Sequence, residues 1–396
     1  GARPLRLDQR LGARRLYDWI NAWARAGGYV PVNAPAVVTL TTAYGEPPGS
    51  QIDAFVRELG FREEHPRALG TLEAETGPFT ARRHATFSQT YTVGERPIET
   101  GGGILVAEHF QANHGPLQTE DPAAANYVSI ETSDDDARFE TSEHPVFGMH
   151  GGFRAPEPQL VFRVSEGRVD PGETVTVTYG DTAGGGRGLL MPDFGSEQMP
   201  FPLYVDLDSS DLFHSLPIQP IAVQGAGVAG VHGFAPSVVA TGETFELAVR
   251  AEDRWGNRAT GEVPAWEVLV DGEVRRRLPA GGDAIQVIEL ALDEPGVHRF
   301  AIRSAKGAIE GDANPVLVED DPERRIYWGD THGHSGFAEG IGTAEGFMRY
   351  ARDDARLDFV THSEHDIWMD DREWGVLRDL VKACTDNGEF VAYLGY

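Results

Sequence analysis

His332 and His334 stand two residues apart in the stretch "RIYWGDTHGHSGFAEG", directly after Asp330 and an apolar, aromatic run. About thirty residues further on, "LDFVTHSEHD" supplies His362, Glu364, His365 and Asp366. Four of the 13 histidines thus crowd between residues 332 and 365, and carboxylates flank both groups. In extended backbone, His-x-His turns both imidazoles to one side, because side chains alternate along a strand. Two nitrogens so placed suit one metal centre, or two metals sharing a bridging oxygen. Asp330 and Glu364 can orient a ligand imidazole through its second ring nitrogen. A single His-x-His pair is commonly structural or merely exposed. It is the repetition in two loops that carries the metal reading. His362 reads as the weakest member, a polar loop residue, and Glu373 and Asp379 read as solvated.

Elements must bring these loops together. At "VEDDPERR" the pattern of the chain changes, which marks a domain boundary near residue 320. Beyond it the pattern predicts a strand over 326–328, a helix over 343–354 and a strand over 357–361. A helix over 371–387 and a strand over 390–394 follow. The second helix carries Trp374, Leu377, Val381 and Cys384 on one stripe, which must face a sheet. Strand starts at 326, 357 and 390 are about thirty residues apart, a βαβαβ order that implies parallel strands with right-handed crossovers. In such architectures the working residues stand at the carboxyl ends of the strands. Both histidine groups fall there.

The preceding three hundred residues read as scaffold. Residues 11–26 have a helical pattern with Leu16, Ile20 and Trp23 on one side, stopped by Gly27 and Gly28, and "SQIDAFVRELG" reads as a short helix. From "ATFSQTYTVGERPIETGGGILVAEHF" onward, apolar and polar residues alternate around Gly and Pro turns, a strand–turn–strand pattern. "QLVFRVSEGRVDPGETVTVTYGD" repeats it, with "DPGE" as the turn. The acidic "ETSDDDARFETSEH" reads as a solvated loop. "GDTAGGGRG" lacks the Lys-Ser/Thr of a phosphate loop and reads as a flexible connection. Residues 222–318 predict six or seven short strands at sandwich spacing. There "AEDRWGN" resembles the Asp-x-x-Gly-Asn turn of bacterial immunoglobulin-like repeats, which makes Asp253 and Asn257 turn formers. A carbohydrate-binding or adhesion module is the functional alternative for this segment.

Composition narrows the partners. A formal net charge of −28 disfavours nucleic acid and anionic membranes, which need clustered Lys and Arg. Only Lys306 and Lys382 are lysines, a bias that fits a salt-rich habitat and equally a trend in genome composition. Cys384 is the single cysteine, so no intrachain disulfide framework exists, and its place on the apolar stripe reads as a buried structural thiol. No apolar run approaches the roughly 18 residues that span a bilayer. The chain starts at Gly1 rather than Met, so a removed leader is compatible with it, and the compartment stays open between periplasmic or secreted and cytoplasmic.

"YWGDTHGHS" followed by "LDFVTHSEHD" resembles the first two motifs of the PHP (polymerase and histidinol phosphatase) superfamily. Residues 325–396 resemble more closely the bacterial family called domain of unknown function 3604. Its members read "YxGDLHxHT…SDG…TPEEYFxYAR…LDFxAxTDHD…GYEW", and here "GTAEGFMRYAR" and "LGY" stand at matching places. The upstream "ERPIETGGGILVAEHF" and "PLQTEDPAAANYVSIETS" also look like that family's β-rich front half. The resemblance implies metal ligands at His332, His334, Glu339 and His365, with Asp330 and Glu364 behind them. Glu339 stands where the family has Asp, Glu364 replaces Asp and Ser363 replaces Thr. The sequence stops at "GY", where the family continues with a metal-bridging Glu.

The expected architecture is therefore multidomain. A helical or irregular segment (1–80) precedes a β-rich domain (81–221) and an immunoglobulin-like β-sandwich (222–320). An incomplete α/β segment (321–396) opens a PHP-like barrel, whose remainder comes from further chain or from a second chain. The expected function is that of a metal-dependent hydrolase, a phosphoesterase. It would act on a small phosphoester through a hydroxide held by two or three Mn, Zn or Fe ions. The alternative is a non-enzymatic β-sandwich binding protein whose barrel remnant is inert or holds a structural metal.

Overall fold

The computed structural model describes residues 37–39, 65, 67–109, 112–144, 159–210, 212–216, 219–336, 340–364, 371–386 and 388–395. The helices expected over 11–26 and near residues 50–60 lie outside these residues, as do Glu339, His365 and Asp366. The described chain is mostly β. Its regular elements fall into three units with separate apolar cores.

The first unit is a sandwich of antiparallel sheets. A four-stranded sheet orders Thr71–Ala74, Phe87–Thr92, Thr174–Tyr179 and Val128–Thr132. A six-stranded sheet orders Val37–Thr39, Leu212–Ser215, Leu203–Asp206, Gly103–Val106, Gln159–Glu166 and Arg138–His144. Alternation decides what each strand gives the core. Ile104 and Val106 point into the main core, and Leu105 joins Val161, Tyr204 and Phe213 on the opposite face. Phe87 stacks on Tyr179 at 4.6 Å, and Phe201 meets both edge-on. Buried beside them, Gln89 donates to the Phe201 carbonyl and accepts from the Tyr179 hydroxyl. That leaves little of its buried amide unsatisfied.

Two expectations for this unit need correction. The acidic stretch "ETSDDDARFETSEH" is not a loop: Val128–Thr132 and Arg138–His144 are strands, and only the turn between them is irregular. Asp134, Asp135 and Asp136 make that turn, while Glu131, Glu140 and Glu143 are exposed strand residues, so the run of charge masked the two strands. "GDTAGGGRG" is a connection but a tethered one. Asp181 accepts from Ser129 Oγ at 2.7 Å and from the Ala183 amide, and Gly184 lies against Pro122 so closely that a Cβ would collide with it.

The second unit is also a sandwich. Gly230–Phe234, Thr244–Glu252 and Ile285–Ala291 form one sheet. Glu273–Leu278, Trp266–Val270, Phe300–Ser304 and Glu310–Asp312 form another, and Val238–Ala240, Val316–Glu319 and Gly296–His298 a third. Fully buried Trp266 anchors the core, with Leu247, Val268 and Ile302 around it. Each such side chain contributes roughly 1.5–3 kcal/mol by burial. Asp253 and Asn257 are the turn formers the sequence implied. Asp253 Oδ1 accepts from the amides of Trp255 and Asn257, and Oδ2 accepts from the Ala226 amide and Asn257 Nδ2. Asn257 also ties the sandwiches together, donating to the Asp193 carbonyl and accepting from the Gly195 amide. Burial alone would push the Asp253 carboxyl up, but these hydrogen bonds outweigh it and hold the group below the usual carboxylate range.

Asp253→Ala should therefore cost about 2–3 kcal/mol in denaturant unfolding. Because the folded carboxyl is depressed, its contribution is complete above its ordinary pKa and is lost as pH falls through the lower folded value. The variant should accordingly lose less stability than wild type on acidification.

The third unit positions the histidines. Three parallel strands, Gly329–Asp330 (β1), Phe359–Ser363 (β2) and Val391–Gly395 (β3), lie in that order. Between them run the helix Ala344–Arg349 (α1), continued by a π-helical turn over Tyr350–Asp354, and the helix Asp371–Cys384 (α2). Thr343 caps α1, accepting from the Gly346 amide, and Glu345 and Arg349 sit at the ends the helix dipole favours. Leu377 and Val381 of α2 are buried, with Met348, Val360, Phe390 and Ala392 completing the core. Cys384 packs half-buried against it, and burial pushes its thiol up, as suits an inert structural cysteine.

The first strand differs from expectation. Ile326, Tyr327 and Trp328 are exposed and precede the ladder, which begins at Gly329. Trp328 is fixed instead by Asp358, whose carboxylate accepts its amide, and by Ser237, which accepts its indole N–H at 2.8 Å. A Cβ on Gly329 would lie 2.4 Å from the Phe359 carbonyl oxygen and 2.5 Å from its ring, so only glycine lets β1 and β2 close. Among the described residues, no helix is long and apolar enough to cross a membrane.

Candidate metal centre at the strand ends

The turn after β1 folds back over the end of β2. Asp330 Oδ1 accepts the His332 amide at 3.0 Å, an Asx-type link that starts the turn. The Gly333 carbonyl accepts the Ser363 amide at 2.9 Å, which fastens the turn to β2. Gly333 itself lies against the Phe347 ring of α1, where a Cβ would sit 2.6 Å from it.

This turn sets His332 and His334 side by side. Their ring centroids are 4.7 Å apart and the planes nearly perpendicular, at 89°. Nδ1 of His332 lies 3.2 Å from Ser363 Oγ. An Nδ1–H donated to that hydroxyl leaves the Nε2 lone pair available to a cation.

Beneath the two imidazoles sits Glu364, fully buried at 0% exposure. Its Oε1 accepts three donors: the Ser335 amide at 2.8 Å, the Ser335 hydroxyl at 2.5 Å and His362 Nε2 at 2.6 Å. Its Oε2 stands 3.9 Å from His334 Nδ1 and takes no hydrogen bond among the described residues. A buried carboxylate oxygen facing an imidazole edge, next to a second imidazole, matches the donor chemistry of a divalent-cation site.

His362 corrects its sequence reading. It is a fully buried strand residue, on the helix-facing side of β2, with its ring 4.8 Å from that of Phe347 and held by Glu364. Strand alternation decides this: Val360 and His362 share the buried face, while Phe359 and Ser363 share the other. Ser335 was not singled out in the sequence, although it follows His334 directly.

The structure thus gathers His332, His334, Glu364, His362, Ser335 and Ser363, and leaves Asp330 at the exposed edge. Glu339 and His365, the other two expected ligands, lie outside the described residues. Among the described residues, no group of three His, Cys, Asp or Glu is already set to hold a metal ion.

No family model matches the chain. A protein of Chlamydia muridarum (strain MoPn / Nigg), described as uncharacterized, is 27% identical over 214 residues, which is 50% of this chain and 34% of that protein. One from Chlamydia pneumoniae, equally uncharacterized, is 25% identical over 258 residues, 61% of this chain and 41% of its own. The chain thus spans well under half the length of these curated relatives. Among solved structures, the D00-D0 domain of Intimin covers 63% of this chain and 99% of its own at 11% identity and a TM-score of 0.23. The ICAM-5 D1-D4 ectodomain fragment covers 66% and 56% at 11% identity and a TM-score of 0.19. Likenesses this loose carry no argument about function.

Proposed function

We propose that the protein is a metal-dependent hydrolase of the PHP type, most closely a phosphoesterase acting on a small phosphoester. The observation that carries this reading is the pairing of His332 with His334 above buried Glu364, at the carboxyl ends of parallel strands. The motif likeness to the domain of unknown function 3604 family supports it. On this reading His332 and His334 hold divalent cations, Mn, Zn or Fe, together with Glu339 and His365. Such ions would supply Lewis acidity toward phosphoryl oxygens and lower the pKa of a bound water. Ser363 sets the His332 tautomer, and Glu364 aligns His334 while locking His362 and Ser335. The β1–β2–β3 unit is read as the opening of a PHP-like barrel. Its far face, with Phe359 and exposed Tyr393, would be covered by further strands from this protein or a second chain. The acidic surface favours a small phosphoester over a nucleic-acid polymer.

The test is hydrolysis of p-nitrophenyl phosphate and bis-p-nitrophenyl phosphate with Mn²⁺, Zn²⁺ or Fe²⁺. Turnover of either, abolished by EDTA and restored by one of the ions, is expected. Protein that neither takes up these ions nor turns over either ester favours the second reading, a non-enzymatic β-sandwich binding protein. The two β-sandwich units that make up most of the described chain are what speak for that alternative.

A further inference from the structure

Among the described residues, the front sandwich meets the histidine turn through His109. His109 follows the central strand Gly103–Val106 and is buried, with 2% exposure. Its ring donates a hydrogen bond to the backbone of Gly340, in the third unit. Gly340 in turn donates its amide to the Ser335 carbonyl at 3.0 Å, and Gly336 donates to the Gly342 carbonyl at 2.9 Å. Gly340 is also pressed on the histidine turn itself, since a Cβ there would stand 2.3 Å from the His334 carbonyl oxygen. Beside it, Ile341 packs against the core of the front sandwich, and Arg349 of α1 pairs with Glu197 of that sandwich. A continuous line of contacts therefore runs from His109 through Gly340 and Ser335 to Glu364 and the histidines.

We propose that His109 is a positioning residue for the metal centre: a side chain of the β-sandwich that fixes the turn carrying His332 and His334 by holding the Gly340 carbonyl. The front sandwich is then part of the working unit rather than an appended module. Desolvation by burial lowers the His109 pKa to about 4, against the Gly340 hydrogen bond, which raises it. The ring is neutral at ordinary pH and keeps one N–H for this carbonyl. The metal part of the inference rests on the proposed function; the positioning part does not.

Three variants in the intact protein test it. His109→Met approximates the volume but cannot donate, His109→Gln can donate, and Arg349→Ala removes a contact between the same units outside the line. Hydrogen exchange of the Gly336 and Gly340 amides reads the turn directly, and Mn²⁺ titration reads the site. His109→Met should speed exchange at these amides roughly five- to tenfold and weaken Mn²⁺ binding about tenfold. His109→Gln should return both toward wild type, and Arg349→Ala should leave both unchanged. If His109→Met does not fold, His109→Gln decides by itself: wild-type exchange and Mn²⁺ affinity support the inference, and loss of both overturns it. Unchanged exchange in folded His109→Met overturns it as well. Wild-type protein that binds no Mn²⁺ sinks the metal reading instead, while the exchange comparison still decides the positioning role.

Discussion

Glu364→Ala should destabilise the C-terminal α/β unit by about 3 kcal/mol or more in denaturant unfolding. The reason lies in the number of donors that meet at one oxygen. Ser335 contributes its amide and hydroxyl, His362 contributes Nε2, and both residues are buried with Glu364. Removing the carboxylate leaves these donors without an acceptor in a space closed to water, at about 1–3 kcal/mol each, less than additively. The turn after β1 would lose its anchor at the same stroke, because Ser335 joins it to the end of β2. Glu364→Gln keeps the volume and one acceptor oxygen, so it should recover about half of the loss. Circular dichroism at 222 nm reports α1 and α2, which makes the unit's transition visible. A Glu364→Ala midpoint within error of wild type would mean that the carboxylate organises nothing.

The largest effect on activity is expected from removing both imidazoles of the turn. His332→Ala/His334→Ala should lower kcat/KM for the better of the two p-nitrophenyl esters by about 10³-fold or more, since the Lewis acid is worth several kcal/mol and each 1.4 kcal/mol is tenfold. Bound metal should fall in parallel. Folding should survive, because His332 is exposed and His334 half-buried, and neither fills a core. That asymmetry separates the two variants: Glu364→Ala should cost stability first, whereas the double histidine variant should cost metal and turnover with little change in unfolding midpoint. A double variant that keeps full turnover would place the chemistry elsewhere.

The sequence carried the order of the third unit well. Its three parallel strands follow from thirty-residue spacing, and the stripe of Leu377, Val381 and Cys384 marked the buried side of α2. The Asp253–Asn257 turn was equally legible, because the side chain that makes it needs only its own neighbours. What escaped was whatever depends on partners far apart in the chain. Ile326–Trp328 has the composition of a strand, yet pairing begins at Gly329, where absence of a side chain admits Phe359. His362 looked like a loop residue because polar neighbours surround it in sequence. Its burial comes from Phe347 on α1 and from Glu364. His109 gave no signal at all, since its contact with Gly340 exists only once the front sandwich and the α/β unit are placed together.

The most direct measurement is anomalous diffraction from crystals of the protein grown with Mn²⁺ or Zn²⁺. At least one strong anomalous peak is expected about 2.0–2.3 Å from a ring nitrogen of His332 or His334, on the side away from Ser363. Crystals saturated with either ion that show no peak at these rings, or peaks only at surface carboxylates, would contradict the metal reading.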